Sequence, residues 1–159
     1  MTIKKIISSI TVIFVAFAMM FTLSACMGNT LEKYSKKNPE FSKKLASRLD
    51  SNGIDGKTSI SGNTINVDID VSKMLDGTKL TNNLKASLDD SFKQSFIYQT
   101  DDFVETIRSI QKETDCSNVK LKIKVMNGNS EIGTYEFDEN SRSPRTSEDA
   151  VNAAKKDEQ

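Results

Sequence analysis

The chain has no histidine and no tryptophan, two prolines, two cysteines and seven glycines among 159 residues. Each shortage excludes something. Without histidine there is no imidazole base or metal ligand, and no Ser-His or Cys-His nucleophile pair. The few glycines form no loop of the kind that cradles phosphates. Basic and acidic residues balance at 22 each. No basic excess points to nucleic acid or, beyond any lipid anchor, to anionic lipid, so neither is expected as a partner from net charge.

What is present begins at the N-terminus. Lys4 and Lys5 form a short positive head, and residues 6–25 carry no charge. A run of ~20 apolar residues is long enough to span a bilayer. The same pattern of basic start, apolar middle and small residues suits a secretory signal. Ordinary cleavage after Ala25 would place bulky Leu23 where a small residue is needed. Leu23, Ser24, Ala25 and Cys26 instead resemble, at all four positions, the lipobox of bacterial lipoproteins. That resemblance implies a diacylglyceryl group on the Cys26 thiol and a cut between Ala25 and Cys26. A thiol is nucleophilic enough for such alkylation near neutral pH. At ~0.8 kcal/mol per buried CH₂, two acyl chains anchor firmly where one would be marginal. The competing readings are an uncleaved membrane helix and a buried apolar helix with a chance cysteine.

The chain then divides into a signal peptide (1–25), a lipidated tether (26–30), one α+β domain (31–140) and a disordered or weakly helical tail (141–159). With Cys26 lipidated only Cys116 remains, so the exported part can hold no internal disulfide. The lean toward Lys, Ser, Asn, Asp and Ile suits an AT-rich genome and hints at a Gram-positive host.

Within the domain, Thr30 is placed to cap a short helix over Leu31–Lys37. Asn38-Pro39 opens a second helix, with Asn as N-cap and Pro at the first helical position. Phe41, Leu45 and Leu49 make its apolar stripe, and Asn52-Gly53 stops it. Ile65, Val67, Ile69 and Val71 alternate with polar residues, as in a strand buried on one face. A turn at Gly62-Asn63 pairs Ile60 with Ile65 and Thr58 with Val67. After Gly77 the spacing of Leu80, Leu84, Leu88, Phe92, Phe96, Phe103, Ile107 and Ile110 predicts one helix over 79–115, with Gln99 filling one slot of its stripe. Such a helix would reach ~54 Å against ~24 Å for a seven-residue strand. It must overhang the sheet, pack on the first helix, or bend. Thr100-Asp101-Asp102 is the alternative restart, but the unbroken phase favours continuity. A final hairpin alternates Val119, Leu121, Ile123 and Val125 with Lys120, Lys122 and Lys124. A three-residue loop at Asn127-Gly128-Asn129 would set Tyr135 against Leu121 and Glu136 against Lys120. The expected fold is α+β: helix, hairpin, long helix, hairpin, with helices on one face of a four-stranded antiparallel or mixed sheet. The α-β-β order of its two halves allows a structural repeat, although their sequences do not match closely.

The stretches "TLEKYSKKNPE", "ISGNTINVDID", "SLDDSFKQSF", "SIQKETDC" and "KLKIKVMNGNSEIGTYEF" resemble a family of small Gram-positive lipoproteins of unknown function. The resemblance covers about 31–137. It implies the lipid anchor and the two hairpins, and brings no activity and no catalytic residue.

Candidate chemistry is sparse. Asp68 and Asp70 hint at a cation, but Ser72 and Lys73 stand where a calcium loop wants an oxygen ligand and glycine. The lysines at 120, 122 and 124 form a basic stripe that either holds an anionic polymer, guards the sheet or pairs with neighbouring acids. Ile97 and Tyr98 fall off the long helix's stripe and make a candidate docking patch. No cofactor, metal or catalytic residue is expected. The resulting reading is a membrane-anchored, non-catalytic binding or envelope-interaction module on the outer face of the cytoplasmic membrane. Its partners are the bilayer and an envelope protein, peptide or wall polymer. The alternative is an enzyme acting on cell-wall or extracellular substrate through carboxylates, with Asp101, Asp102, Glu105 and Glu113 as candidates.

Overall fold

A computed structural model describes residues 30–51, 55–76 and 78–142, with residues 48–51 as backbone only. The lipobox residues Leu23, Ser24, Ala25 and Cys26, the Asn52-Gly53 stop, Gly77 and the tail from 143 onward lie outside the described residues.

The elements run α1 (Leu31–Lys37), α2 (Pro39–Ser51), β1 (Gly56–Ser61), β2 (Thr64–Asp70), α3 (Asn82–Tyr98), α4 (Thr100–Thr114), β3 (Lys120–Asn127) and β4 (Ser130–Phe137). The fold is α+β with a mixed four-stranded sheet in the order β1-β2-β3-β4. Both hairpins are antiparallel, and the central pair β2–β3 is parallel. The helices share one face. Leu31, Phe41, Leu45, Leu88, Phe92 and Phe96 join Ile65, Val67, Ile69, Leu121, Ile123 and Val125 in a single buried cluster. The opposite face is polar because the period-2 alternation sends every second strand residue to solvent.

Thr30 caps α1 as expected, its hydroxyl accepting from the Lys33 amide. Asn38 does not cap α2 with its side chain. Its backbone amide and its side-chain amide both donate to Tyr34 O, at 2.9 and 3.0 Å, and so close α1. Asn38 can end one helix and begin the next because its carbonyl accepts from Phe41 N. The first hairpin has the expected register, Ile60 opposite Ile65 and Thr58 opposite Val67. Gly62 sits at φ +58° at the first central turn position, a conformation that two-residue hairpin turns require and glycine adopts without strain.

The predicted long helix is two helices. The first starts at Asn82, capped by Thr81, later than the periodicity suggested. It ends at Tyr98, and Gln99 at ψ 3° separates it from α4. The break falls one residue before the Thr100 restart, and the Gln99 side chain forms no cap there. Length supplies the reason. Seventeen and fifteen residues reach ~25 and ~22 Å, each matching an eight-residue strand of ~27 Å. An unbroken helix would overhang by half its length. The stripe keeps phase because only one residue leaves the helix. Phe96 and Phe103 would be ~10.5 Å apart along a straight axis, yet their ring centroids stand 6.0 Å apart across the turn.

The second hairpin also departs from expectation. Its turn has two residues, Gly128-Asn129, closed by Asn127 opposite Ser130. A bulge beside Val125 and Met126 then shifts the register, so Tyr135 faces Ile123 and Glu136 faces Lys122. The extra residue, Ile132, is turned inward and buried. A tight turn and a bulge together put Tyr135 and Phe137 on the core side, which is the constraint the three-residue loop was meant to satisfy. Gly133 makes this possible. A Cβ there would collide with the Asp89 carboxylate and the Tyr135 phenol. The ring and carboxylate lie over the bare backbone and bond each other, Tyr135 Oη donating to Asp89 Oδ1 at 2.5 Å. Burial first, then Asp89, pushes the phenol pKa well above its ordinary value, so the tyrosine stays a neutral donor.

Candidate functional site

The strands' outward residues build the most distinctive polar surface among the described residues. Parallel pairing of β2 with β3 sets Thr64 beside Lys120 and Asn66 beside Lys122. Antiparallel pairing sets Ser61 beside Thr64 and Glu136 beside Lys122. These six residues line an open recess of about 270 Å³ at one end of the sheet. All four strands contribute.

The lysine stripe is partly neutralised. Lys122 Nζ lies 2.8 Å from Glu136 and Lys124 Nζ lies 3.5 Å from Glu131. The bond between Lys122 and Glu136 holds the carboxyl below its usual range and raises the ammonium above its own. Both groups are largely exposed, and such pairs contribute ~0–1 kcal/mol. Lys120 stands exposed beside them and forms no ion pair with a described residue. The reading of the stripe as cross-strand pairs therefore holds for Lys122 and Lys124, with Glu136 opposite Lys122 rather than Lys120.

Asp70 is a strap. Its Oδ1 accepts from Ser72 N at 2.9 Å and from Gly128 N at 3.0 Å, tying the end of β2 to the tip of the second hairpin. Partial burial pushes its carboxyl up, but the two amides, with Lys73 nearby, hold it below the ordinary range. Among the described residues no cluster of acids suited to a metal ion is found. Asp70→Ala should lose about 1.5–3 kcal/mol, the range for hydrogen bonds to charged groups. The sign follows from the lowered folded pKa. The stabilisation is present above the unfolded value of ~3.9 and is lost as pH falls through the folded one. Urea unfolding of wild type and variant should converge as pH drops from about 6 toward about 2; a constant gap would show that the carboxylate charge contributes nothing.

At the other end of β2, Asn63 joins three elements. Its Oδ1 accepts from Leu31 N and its Nδ2 donates to Ser117 O, both at 2.8 Å. Its backbone oxygen accepts from Lys120 N at 2.9 Å. Glu32 adds a reciprocal pair with Gly62, amide to carbonyl at 2.8 Å and carboxylate to amide at 2.9 Å. The start of α1 is thereby fastened to the sheet end that carries the recess.

The docking patch divides. Tyr98 ends α3 and is 55% exposed, while Ile97 is half-buried. Phe92, Phe96 and Phe103, which had made this stretch look too dense in aromatics, are core. Asp101, Asp102 and Glu105 stand in solvent on the first turns of α4, and Glu113 is partly buried near its end. The structure does not bring them together with the recess, whose single carboxylate is Glu136. Cys116 is buried against the core, its thiol 3.6 Å from Thr114 O. Sequence reasoning missed Ser61, Thr64 and Asn66 as a group. Each alternates correctly to the outer face, but nothing local reports which strands are neighbours.

Among the described residues no helix is long and apolar enough to cross a membrane. A family model described as a domain of unknown function (DUF4854) matches residues 31–152, from the start of α1 to beyond β4. No curated protein and no solved structure matches the chain.

Proposed function

We propose, for a chain that belongs to the DUF4854 family, that it is a lipoprotein held by a diacylglyceryl group on Cys26 at the outer face of the cytoplasmic membrane of a Gram-positive host. Its domain binds an envelope component and catalyses nothing. The observation that carries this is the Leu23-Ser24-Ala25-Cys26 box at the end of an uncharged run that follows Lys4 and Lys5. Tyr98 supports a docking role as an exposed aromatic at a helix break. A histidine-free chain, with a recess whose one carboxylate is held by a lysine, supports binding over acid–base catalysis.

Cys26→Ala decides the anchor. Wild type should sediment with membranes and carry the mass of a diacylglyceryl group; the variant should carry none and remain uncut at Ala25. Identical processing of both, with no lipid mass on wild type, would refute the reading. Tyr98→Ala tests the docking role. It should change stability by no more than about 0.5 kcal/mol and lower the yield of a specific in-cell cross-link. A large loss of stability with unchanged cross-linking would remove Tyr98 from the working surface.

A further inference from the structure

The recess and the tether share one end of the sheet. Thr30 precedes α1, whose first amide is bonded to the Asn63 side chain. Thr64 and Lys120 line the recess, and the Lys120 amide is bonded to the Asn63 carbonyl. Four peptide units separate Cys26 from Thr30, a reach of at most ~14 Å. A lipid on Cys26 would thus hold this end of the sheet near the headgroups.

The lining suits a phosphate. Ser61 and Thr64 offer hydroxyls whose protons rotate to serve an acceptor, Asn66 offers an amide, and the two lysines offer ammonium donors. Two lysines against Glu136 leave one positive charge in excess. The Lys122–Glu136 pair is exposed, so a phosphate oxygen can take over one of the Lys122 donors. The recess opens on the helix-free face, and its volume of about 270 Å³ exceeds what a phosphate group needs.

We propose that this recess is a binding site for the phosphate of an anionic membrane lipid, engaged by Lys120 and Lys122 with Ser61, Thr64 and Asn66. The inference rests on the lipoprotein reading, which brings the recess to the bilayer. Its role is orientation: a second contact besides the acyl anchor fixes which surface of the domain faces the membrane and leaves Tyr98 a constant position relative to it.

The test uses the full chain, isotope-labelled and purified in an uncharged sugar detergent, with backbone amide shifts as readout. Short-chain phosphatidylglycerol should move the amides of Ser61, Thr64, Asn66, Lys120 and Lys122 saturably. Phosphatidylcholine of the same chain length should not. Inorganic phosphate should move the same amides only at higher concentration. Lys120→Gln should weaken phosphatidylglycerol binding about tenfold, as expected for loss of one charged contact, and Glu136→Gln should tighten it. Both side chains are exposed, so the remaining spectrum should be unchanged and report an intact fold. Equal response to both lipids, shifts centred elsewhere, or an indifferent Lys120→Gln would overturn the site. Saturation by inorganic phosphate at the same concentration would overturn the lipid as its source. The mass of Cys26 is measured separately, so failure here leaves the anchor standing and failure there leaves a phosphate site without its bilayer.

Discussion

Phe96→Ala should destabilise the domain by about 3–5 kcal/mol, the usual cost of truncating a fully buried phenylalanine. Phe96 is 1% exposed and is the hub of the aromatic packing. Its ring meets Phe92 at 6.2 Å, Phe103 at 6.0 Å and Tyr135 at 4.9 Å between centroids. It thus joins α3, α4 and β4 at the turn that redirects the chain. Its carbonyl also accepts from Gln99 N at 3.1 Å and from the Thr100 hydroxyl at 3.2 Å, so the same residue holds the backbone of the break. Truncation leaves a cavity that two short helices and a bulged strand cannot all close around. Denaturant titration measures the loss directly. Phe96→Leu should cost much less, because it keeps most of the apolar volume. A loss below about 1 kcal/mol for the alanine variant would mean that the aromatic contacts do not hold the two helices together.

Asn63→Ala should cost about 1.5–4.5 kcal/mol, because it leaves the part-buried Leu31 amide without its acceptor, at about 1–3, and removes an exposed hydrogen bond to Ser117 O, worth about 0.5–1.5. Leu31 N loses its acceptor and Ser117 O loses its donor. Asn63→Asp is the informative companion. It keeps the acceptor for the part-buried Leu31 amide and removes only the exposed bond to Ser117, so it should recover the larger part of the loss. Hydrogen exchange at the Leu31 amide should accelerate in Asn63→Ala and stay slow in Asn63→Asp. The effect reaches beyond stability. Glu32 is held ionised first by Lys36 and then by the Gly62 amide, and the Asn63 bonds seat the helix that carries it. Loosening that seat would detach the tether end of the chain from the recess while leaving the rest of the sheet paired. Uniform acceleration of exchange across the domain would show instead that Asn63 supports the whole fold.

Local patterns determined much of this protein by themselves. Alternation at Ile65, Val67 and Ile69, and at Leu121, Ile123 and Val125, marked two strands and their buried face, because a period of two leaves no other arrangement. Thr30 and Pro39 marked helix starts because capping and the fixed φ of proline act within a few residues. Gly62-Asn63 set the first hairpin's register for the same reason. What the tertiary structure alone decided depends on distance across the fold. The break at Gln99 answers to the length of the strands that α3 and α4 cover, which no helix-period signal contains. The tight turn and bulge of the second hairpin answer to the need to pack Tyr135 beneath α3 and Phe137 beneath α4, with Gly133 bare so that Asp89 and the phenol fit over it. Asn63 and Asp70 read locally as a turn residue and a solvated acid; they became straps once parallel pairing of β2 and β3 brought Ser117 and Gly128 beside them. The recess has the same origin. Ser61, Thr64, Asn66, Lys120 and Glu136 are each unremarkable in their own strand, and only strand order, set by the packing of one buried face against four helices, makes them neighbours.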